Sequence, residues 1–234
     1  MTDRPIIFGA PMVRAILDGR KTVTRRLVKD AGGAFWDHAG YRPTVVNGRV
    51  RWHCVDTGAD AGPGAPMPRS PYGGPGDRLW VRETFAERVD IDGRDPAQRD
   101  RAKHYLMFKA NGDDPRDPDN FHTWGAWKPS IHMPRWASRI TLDVVSVRVE
   151  RLHEITEEDA RAEGIESLAF VHDATSPDDG FLGHVFGRDD GRSTMYHTAR
   201  EAFAGLWDSL NAERAPWASN PWVWRVEFRR AVQP

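Results

Sequence analysis

A single cysteine, Cys54, is all the thiol chemistry in this 234-residue chain. No internal disulfide framework can form, and the zinc patterns built on paired thiolates lack their second ligand. Long apolar runs are missing as well. No segment approaches the roughly 20 residues of a membrane-spanning helix, and the opening MTDRPIIF lacks an apolar core of signal-peptide length, so a cytoplasmic location with no membrane contact is expected. Neither charge is in excess. Lys and Arg number 33 against 34 Asp and Glu, a formal net charge of -1, so any attraction to nucleic acid must come from a local patch. Nothing in the pattern demands a protein partner. What the chain holds in quantity is tryptophan, ten residues, several beside Gly, Pro or Arg, where an indole can stack on a ligand as well as fill a core.

At this length one elaborated domain, residues 1–234, is expected. Pro11 suits a first helical turn, Met12, Val13, Ile16 and Leu17 recur at helical spacing, and Gly19 suits the left-handed residue that ends a helix. Gly and Pro dominate from about 31 to 74, ending in GPGAPMPRSPYGGPG, and this reads as an irregular insertion. Residues 86–126, apart from 105–108, and 171–195 read as two further polar loops. After the Gly76-Asp77 turn, Leu79, Val81, Glu83 and Phe85 fall on one face of a strand and Trp80, Arg82 and Thr84 on the other.

In RITLDVVSVRVERL, Ile140, Leu142 and Val144 share one parity and Val145, Val147 and Val149 the other. The inward face therefore switches near Val144, which predicts a bulge there. The segment ITEEDARAEGI predicts a short helix: Thr156 as N-cap, Glu157, Glu158 and Asp159 at its positive end, and Gly164 at its stop. Ile155 and Ala160 fit the staple positions that fix the entry of the chain. Ala199, Phe203, Leu206, Trp207 and Leu210 form a helical stripe. Past Asn220-Pro221, WVWRVEFRR alternates with Trp222, Trp224, Val226 and Phe228 inward. Separated strands, few helices and long excursions predict an α+β domain around a small, strongly bent sheet or barrel.

The stretch LDGRKTVTRR, residues 17–26, concentrates Arg20, Lys21, Arg25 and Arg26 around Thr22 and Thr24. Neighbouring cations and burial depress a lysine toward a usable base, and a neutral amine can take the proton of a threonine hydroxyl. Strict strand alternation places Lys21 and Thr24 on opposite faces, so they converge only if the chain is still turning after Gly19. Glu163 stands at the negative end of its helix, against the dipole, and calls for a cationic partner or a ligand. Three readings stay open on these residues alone: a solvated basic turn, a phosphate clamp, or a catalytic cluster.

The proline-bounded WKPSIHMPRW, residues 127–136, gathers Lys128, Ser130, His132 and Arg135 between two tryptophans. It reads either as the lining of a base pocket or as a loop packed on the sheet. His132 stands apart from other His or Cys residues and does not suggest a metal. Glu83 points among apolar neighbours and needs a partner, for which an arginine of the basic stretch is expected. In the functional version, Glu83 or Arg82 touches the ligand.

GRKTVTRR after a short helix, GDRLWVRE, and later ITEEDARAEGI resemble, in order, the three signature blocks of the ASCH family, which has the PUA-like fold. PIIFGAPMVRAI, WKPSIHMPRWASRITL and NPWVWRVEF extend the likeness over the chain, which is similar to the longer ASCH proteins of phages and prophages. The resemblance implies a small mixed β-barrel flanked by short helices, with long loop insertions. It also implies the site of the compact amidohydrolases that deacetylate 4-N-acetylcytidine, with Lys21, Thr24 and Glu163 as the catalytic lysine, threonine and glutamate. Arg20, Arg26, Trp80, Arg82, Glu83, Lys128, Ser130, His132 and Arg135 are then the candidate substrate-binding residues. No cofactor or metal is expected. Other members of the family are associated with RNA, which keeps a noncatalytic reader of modified bases and a ribonuclease on single-stranded RNA as alternatives.

Overall fold

In the computed structural model, residues 2–29, 41–46, 49–54, 69–88, 105–117, 124–171, 180–185 and 195–231 are described. The chain is a mixed α+β protein with twelve strands and three α-helices among these residues. In chain order they are β1 (Asp3–Ile7), α1 (Ala10–Leu17), β2 (Val23–Leu27), β3 (Tyr41–Val46), β4 (Arg49–Cys54), β5 (Arg78–Arg82), β6 (Phe85–Glu87) and β7 (Leu106–Phe108). The second half adds β8 (Thr141–Arg151), α2 (Glu157–Ala162), β9 (Glu166–Val171), β10 (Gly180–Val185), β11 (Met195–Tyr196), α3 (Ala199–Asn211) and β12 (Trp222–Arg230). No helix among the described residues is long and apolar enough to cross a membrane.

The central sheet runs β1-β5-β8-β12-β2, with β1 parallel to β5 and the other pairs antiparallel. Among the described residues no strand pairing joins β1 to β2, so the sheet is open at both edges. The expected switch in β8 is present. Glu227 faces Ser146 and Phe228 faces Val144, leaving Val145 as an unopposed, exposed extra residue. The bulge keeps Leu142 and Val144 before it, and Val147 and Val149 after it, on one inward face, where they pack with Trp224, Val226 and Phe228. Leu79, Val81, Glu83 and Phe85 are all buried, as their alternation predicts.

The helices cover the sheet from two sides. Val13 and Ile16 of α1 join the core with Ile6, Phe8 and the inward residues of β5, β8 and β12. The second core lies on the other face of β12, where Val223 meets Leu152, Ile155, Ala160, Phe203, Leu206 and Trp207 beneath α2 and α3. That second face of β12 is apolar only at Val223 and continues with the charged Arg225 and Glu227. The Thr156 hydroxyl accepts the Asp159 amide at 3.1 Å, the N-cap expected of α2. Leu210 departs from the expected stripe of α3: it is 72% exposed while the other four positions are buried.

The three insertions hold more regular structure than their composition suggests. β3 and β4 pair within 31–74, β6 and β7 pair across 86–126, and β9, β10 and β11 form a three-stranded sheet over 166–196. Cross-strand pairing holds these strands, so Gly, Pro and Asp content alone misreads them. Residues 31–40, 47–48, 55–68, 89–104, 118–123, 172–179 and 186–194 of those segments lie outside the described residues.

Candidate functional site

The basic stretch is the junction between α1 and α2. After α1, Gly19 takes φ 77° and reverses the chain, and the Lys21 amide then donates to Ala15 O at 2.9 Å. The Thr22 amide donates to Ala162 O of α2, also at 2.9 Å. Because β2 begins only at Val23, Lys21 is still in the turn, and both Lys21 and Thr24 border one cavity. The condition posed by strand alternation is met.

Glu163 closes α2 with its amide on Asp159 O at 2.9 Å, and Gly164 follows at φ 97°. Glycine is required twice over at 164. A β-carbon there would be strained by that φ, and would lie 3.0 Å from Ala15 Cβ and 3.3 Å from Lys21 Cβ. Arg20, one of the candidate binding residues, spends its guanidinium on Gly164 O at 3.3 Å and on Asp18 at 3.0 Å, outside the cavity.

Lys21 and Glu163, each 3% exposed, form a buried ion pair. Lys21 Nζ donates to Glu163 Oε2 at 2.7 Å, to Glu163 O at 2.7 Å and to Val23 O at 2.8 Å. Those three acceptors match the three protons of an ammonium group. Burial pulls the Lys21 pKa below its ordinary 10.5; Glu163 opposes that shift, and the charges of Arg26 and Arg25 add to it.

Arg25, buried in β2, shows a role the sequence reading did not assign. Register places Arg25, Arg225 and Arg148 abreast on three adjacent strands, a row of like charges that would repel. Asp159, reaching in from α2, pairs with Arg25 and Arg225 and lies 3.6 Å from Arg148. Glu150 takes Arg25 Nε at 2.8 Å and Arg148 Nε at 2.6 Å, and Glu227 takes Arg225 Nη1 at 3.1 Å. Burial alone would raise the Asp159 carboxyl, but the Arg225 hydrogen bond and the charges of Arg25 and Arg225 hold it below its ordinary value. The available signal was a charged residue at each second position of otherwise apolar strands: Arg148 and Glu150, Arg225 and Glu227.

The cavity holds about 350 Å³. Its polar end is Lys21, Thr24, Arg25, Arg26 and Glu163, and its apolar wall comes from Phe8 and Met12 and from Phe203, Leu206, Trp207 and Leu210 of α3. Leu210, exposed on its helix, is part of this wall. Thr24 is 3% exposed, and among the described residues no group hydrogen-bonds its hydroxyl. Arg26 lies over the Phe8 ring at 5.1 Å and donates from Nη2 to Ile7 O. Among the described residues, no cluster of His, Cys, Asp or Glu is placed to hold a metal ion.

The remaining candidates lie elsewhere. Trp80, Arg82, Glu83, Lys128, Ser130, His132 and Arg135 do not line this cavity, although Arg82 pairs in β5 with Ile7 of β1, which does. Glu83 is bound by Arg139, with Nε to Oε1 at 2.9 Å and Nη2 to Oε2 at 3.0 Å, and not by an arginine of the basic stretch. Strand register sets that choice: Arg139 precedes β8 and reaches the end of β5, whereas Arg25 is claimed by Glu150, Asp159 and Glu163. Lys128 pairs with Glu87 at 2.7 Å, Arg135 pairs with Asp3 at 3.2 Å, and Ser130 O accepts Arg82 Nε at 3.1 Å. His132 is exposed. Comparison of the chain with protein-family models, with curated proteins and with solved structures found no match.

Proposed function

We propose that this chain is an ASCH-family protein whose central sheet, open at both edges, corresponds to the barrel sheet of a PUA-like domain, and that it hydrolyses the amide of an acylated pyrimidine nucleoside of the 4-N-acetylcytidine type without a metal. One observation carries the reading. An amine, an alcohol and a carboxylate from three sequence positions border one cavity, and the alcohol alone of the three lacks a partner among the described residues. A hydroxyl bordering a cavity with no protein partner among those residues is available to a bound ligand.

In the proposed reaction the Thr24 hydroxyl adds to the amide carbonyl carbon and passes its proton to the neutral Lys21 amine. The C–N bond then breaks, and Glu163 relays that proton to the exocyclic nitrogen, which leaves as the free amine of cytidine. Water cleaves the threonyl ester, releasing the carboxylic acid and restoring the hydroxyl. Lys21, with its pKa lowered by burial, reaches the neutral state more readily than an exposed lysine. A cavity of about 350 Å³ is at the small end of ligand sites, which suits a nucleoside better than a folded oligonucleotide.

A second reading has an observation of its own. The guanidinium carbons of Arg82 and Arg135 lie 5.6 Å and 5.8 Å from the half-buried Trp80 ring, a cationic aromatic surface of the kind on which single-stranded RNA bases stack. Incubation with 4-N-acetylcytidine and with labelled single-stranded RNA under excess chelator separates the cases. Cytidine and acetate released by wild type and not by Glu163→Ala support hydrolysis. Salt-sensitive RNA retention without turnover supports a reader, and RNA fragments support a ribonuclease.

A further inference from the structure

We propose that Arg25 is a positioning residue that orients Glu163 Oε1 toward the substrate and, anchored by Asp159 and Glu150, sets the proton affinity of Lys21. The proposal rests on the assignment of Lys21 and Glu163 as the acid–base pair. The two oxygens of Glu163 are unequally held. Oε2 is tied to Lys21 Nζ at 2.7 Å, whereas among the described residues Oε1 has only Arg25 Nη1, at 3.4 Å. A contact of that length steers an oxygen without saturating it, which leaves Oε1 as the carboxylate oxygen free to exchange a proton.

Arg25 can hold this position because its other nitrogens are fully committed. Nε and Nη2 meet Glu150 Oε1 at 2.8 Å and 2.7 Å, and Nη2 also meets Asp159, so the side chain is pinned from β8 and from the body of α2. One planar fork thus spans three carboxylates on two elements, a geometry that a lysine ammonium cannot reproduce. Asp159 and Glu163 both belong to the α2 region, one as an anchor and one as the group being aimed. Its charge also matters. Arg25 is countered by Asp159, so removing that carboxylate strengthens the positive field at Lys21 while leaving every proposed catalytic group in place.

The test uses the full chain with Arg25→Lys, Asp159→Asn and, as a control carboxylate on β8 that touches neither Arg25 nor Glu163, Asp143→Asn. The Lys21 titration midpoint is followed by NMR through its ε-carbon, and turnover of 4-N-acetylcytidine is followed against pH. Arg25→Lys is expected to lower kcat about tenfold or more with KM within about twofold, as misplacement of a proton-transfer group does. Asp159→Asn is expected to move the Lys21 midpoint and the pH–rate limb downward together, with Asp143→Asn unchanged. A Lys21 midpoint equal in wild type and Asp159→Asn overturns the proposal, as does wild-type kcat in Arg25→Lys. Should wild type leave 4-N-acetylcytidine intact, the substrate reading fails and the Lys21 midpoint alone decides: a downward move upholds the coupling, and no move ends it.

Discussion

Lys21 Nζ donates to both the carboxylate and the main-chain carbonyl of Glu163, at 2.7 Å each, so one ammonium seals the end of α2 and holds its last side chain. Structure and proposed chemistry share these atoms. Removing one member of a buried pair leaves the other charge uncompensated, at a cost of about 3–5 kcal/mol, while apolar replacement of both is far milder. Chemical denaturation should therefore show Lys21→Met strongly destabilised and Lys21→Met combined with Glu163→Leu substantially recovered. Equal loss in single and double variants would mean that the pair does not act as a unit.

Thr24→Val should behave oppositely. The hydroxyl has no partner among the described residues, and valine keeps its shape, so stability is expected within about 1.5 kcal/mol of wild type. Turnover of 4-N-acetylcytidine should be abolished. Thermal unfolding and a product assay on the same preparation check both halves, and retained turnover would rule out a nucleophilic threonine.

Gly164→Ala tests the junction itself. The left-handed φ costs about 1–3 kcal/mol for a residue with a β-carbon, and that carbon would press on Ala15 and Lys21. Loss of thermal stability accompanied by lost turnover is expected, because the same contact displaces Lys21. A neutral outcome would mean that the α1–α2 junction yields without disturbing the site.

The pH dependence follows from two directions. Lys21 titrates near 10.5 in the unfolded chain and lower when folded. Between those midpoints the unfolded chain binds the extra proton, so stability rises with pH through that window, and activity gains a rising limb below pH 10.5. Asp159 is held below its ordinary 3.8, so its contribution is present above that value and is lost as pH falls through the folded midpoint. Denaturation midpoints measured across both ranges check the signs. A rising limb at or above pH 10.5 would contradict an activated lysine.

Local signals were legible in the sequence. Gly19 and Gly164 as left-handed stops, Thr156 as a cap, the parity switch that becomes the Val145 bulge, and the buried alternation from Leu79 to Phe85 each depend on a few neighbouring residues. The failures are choices of pairing partner. Glu83 finds Arg139 because of sheet register, and β3, β4, β10 and β11 exist through pairing rather than through their Gly- and Asp-rich composition. Lys21, Thr24, Glu163 and Arg26 meet at the cavity, whereas Trp80 and the candidates of the 128–135 segment do not line it, since neighbouring motifs in a sheet order cannot be read from sequence order.

That separation is itself testable. Trp80→Ala and Lys128→Ala alter side chains outside the cavity lining, so turnover of 4-N-acetylcytidine should stay within about twofold of wild type. Steady-state kinetics on both variants would detect a larger loss, which would place that surface in the substrate's path.

The central claim is that a pyrimidine nucleoside occupies the space between Lys21, Thr24 and Glu163 and the α3 wall. A crystal structure of the protein soaked with cytidine tests it most directly. The account predicts the exocyclic amine within hydrogen-bond distance of Glu163, with the ring against Phe203 or Trp207. A nucleoside stacked on Trp80, with the cavity left empty, would contradict it.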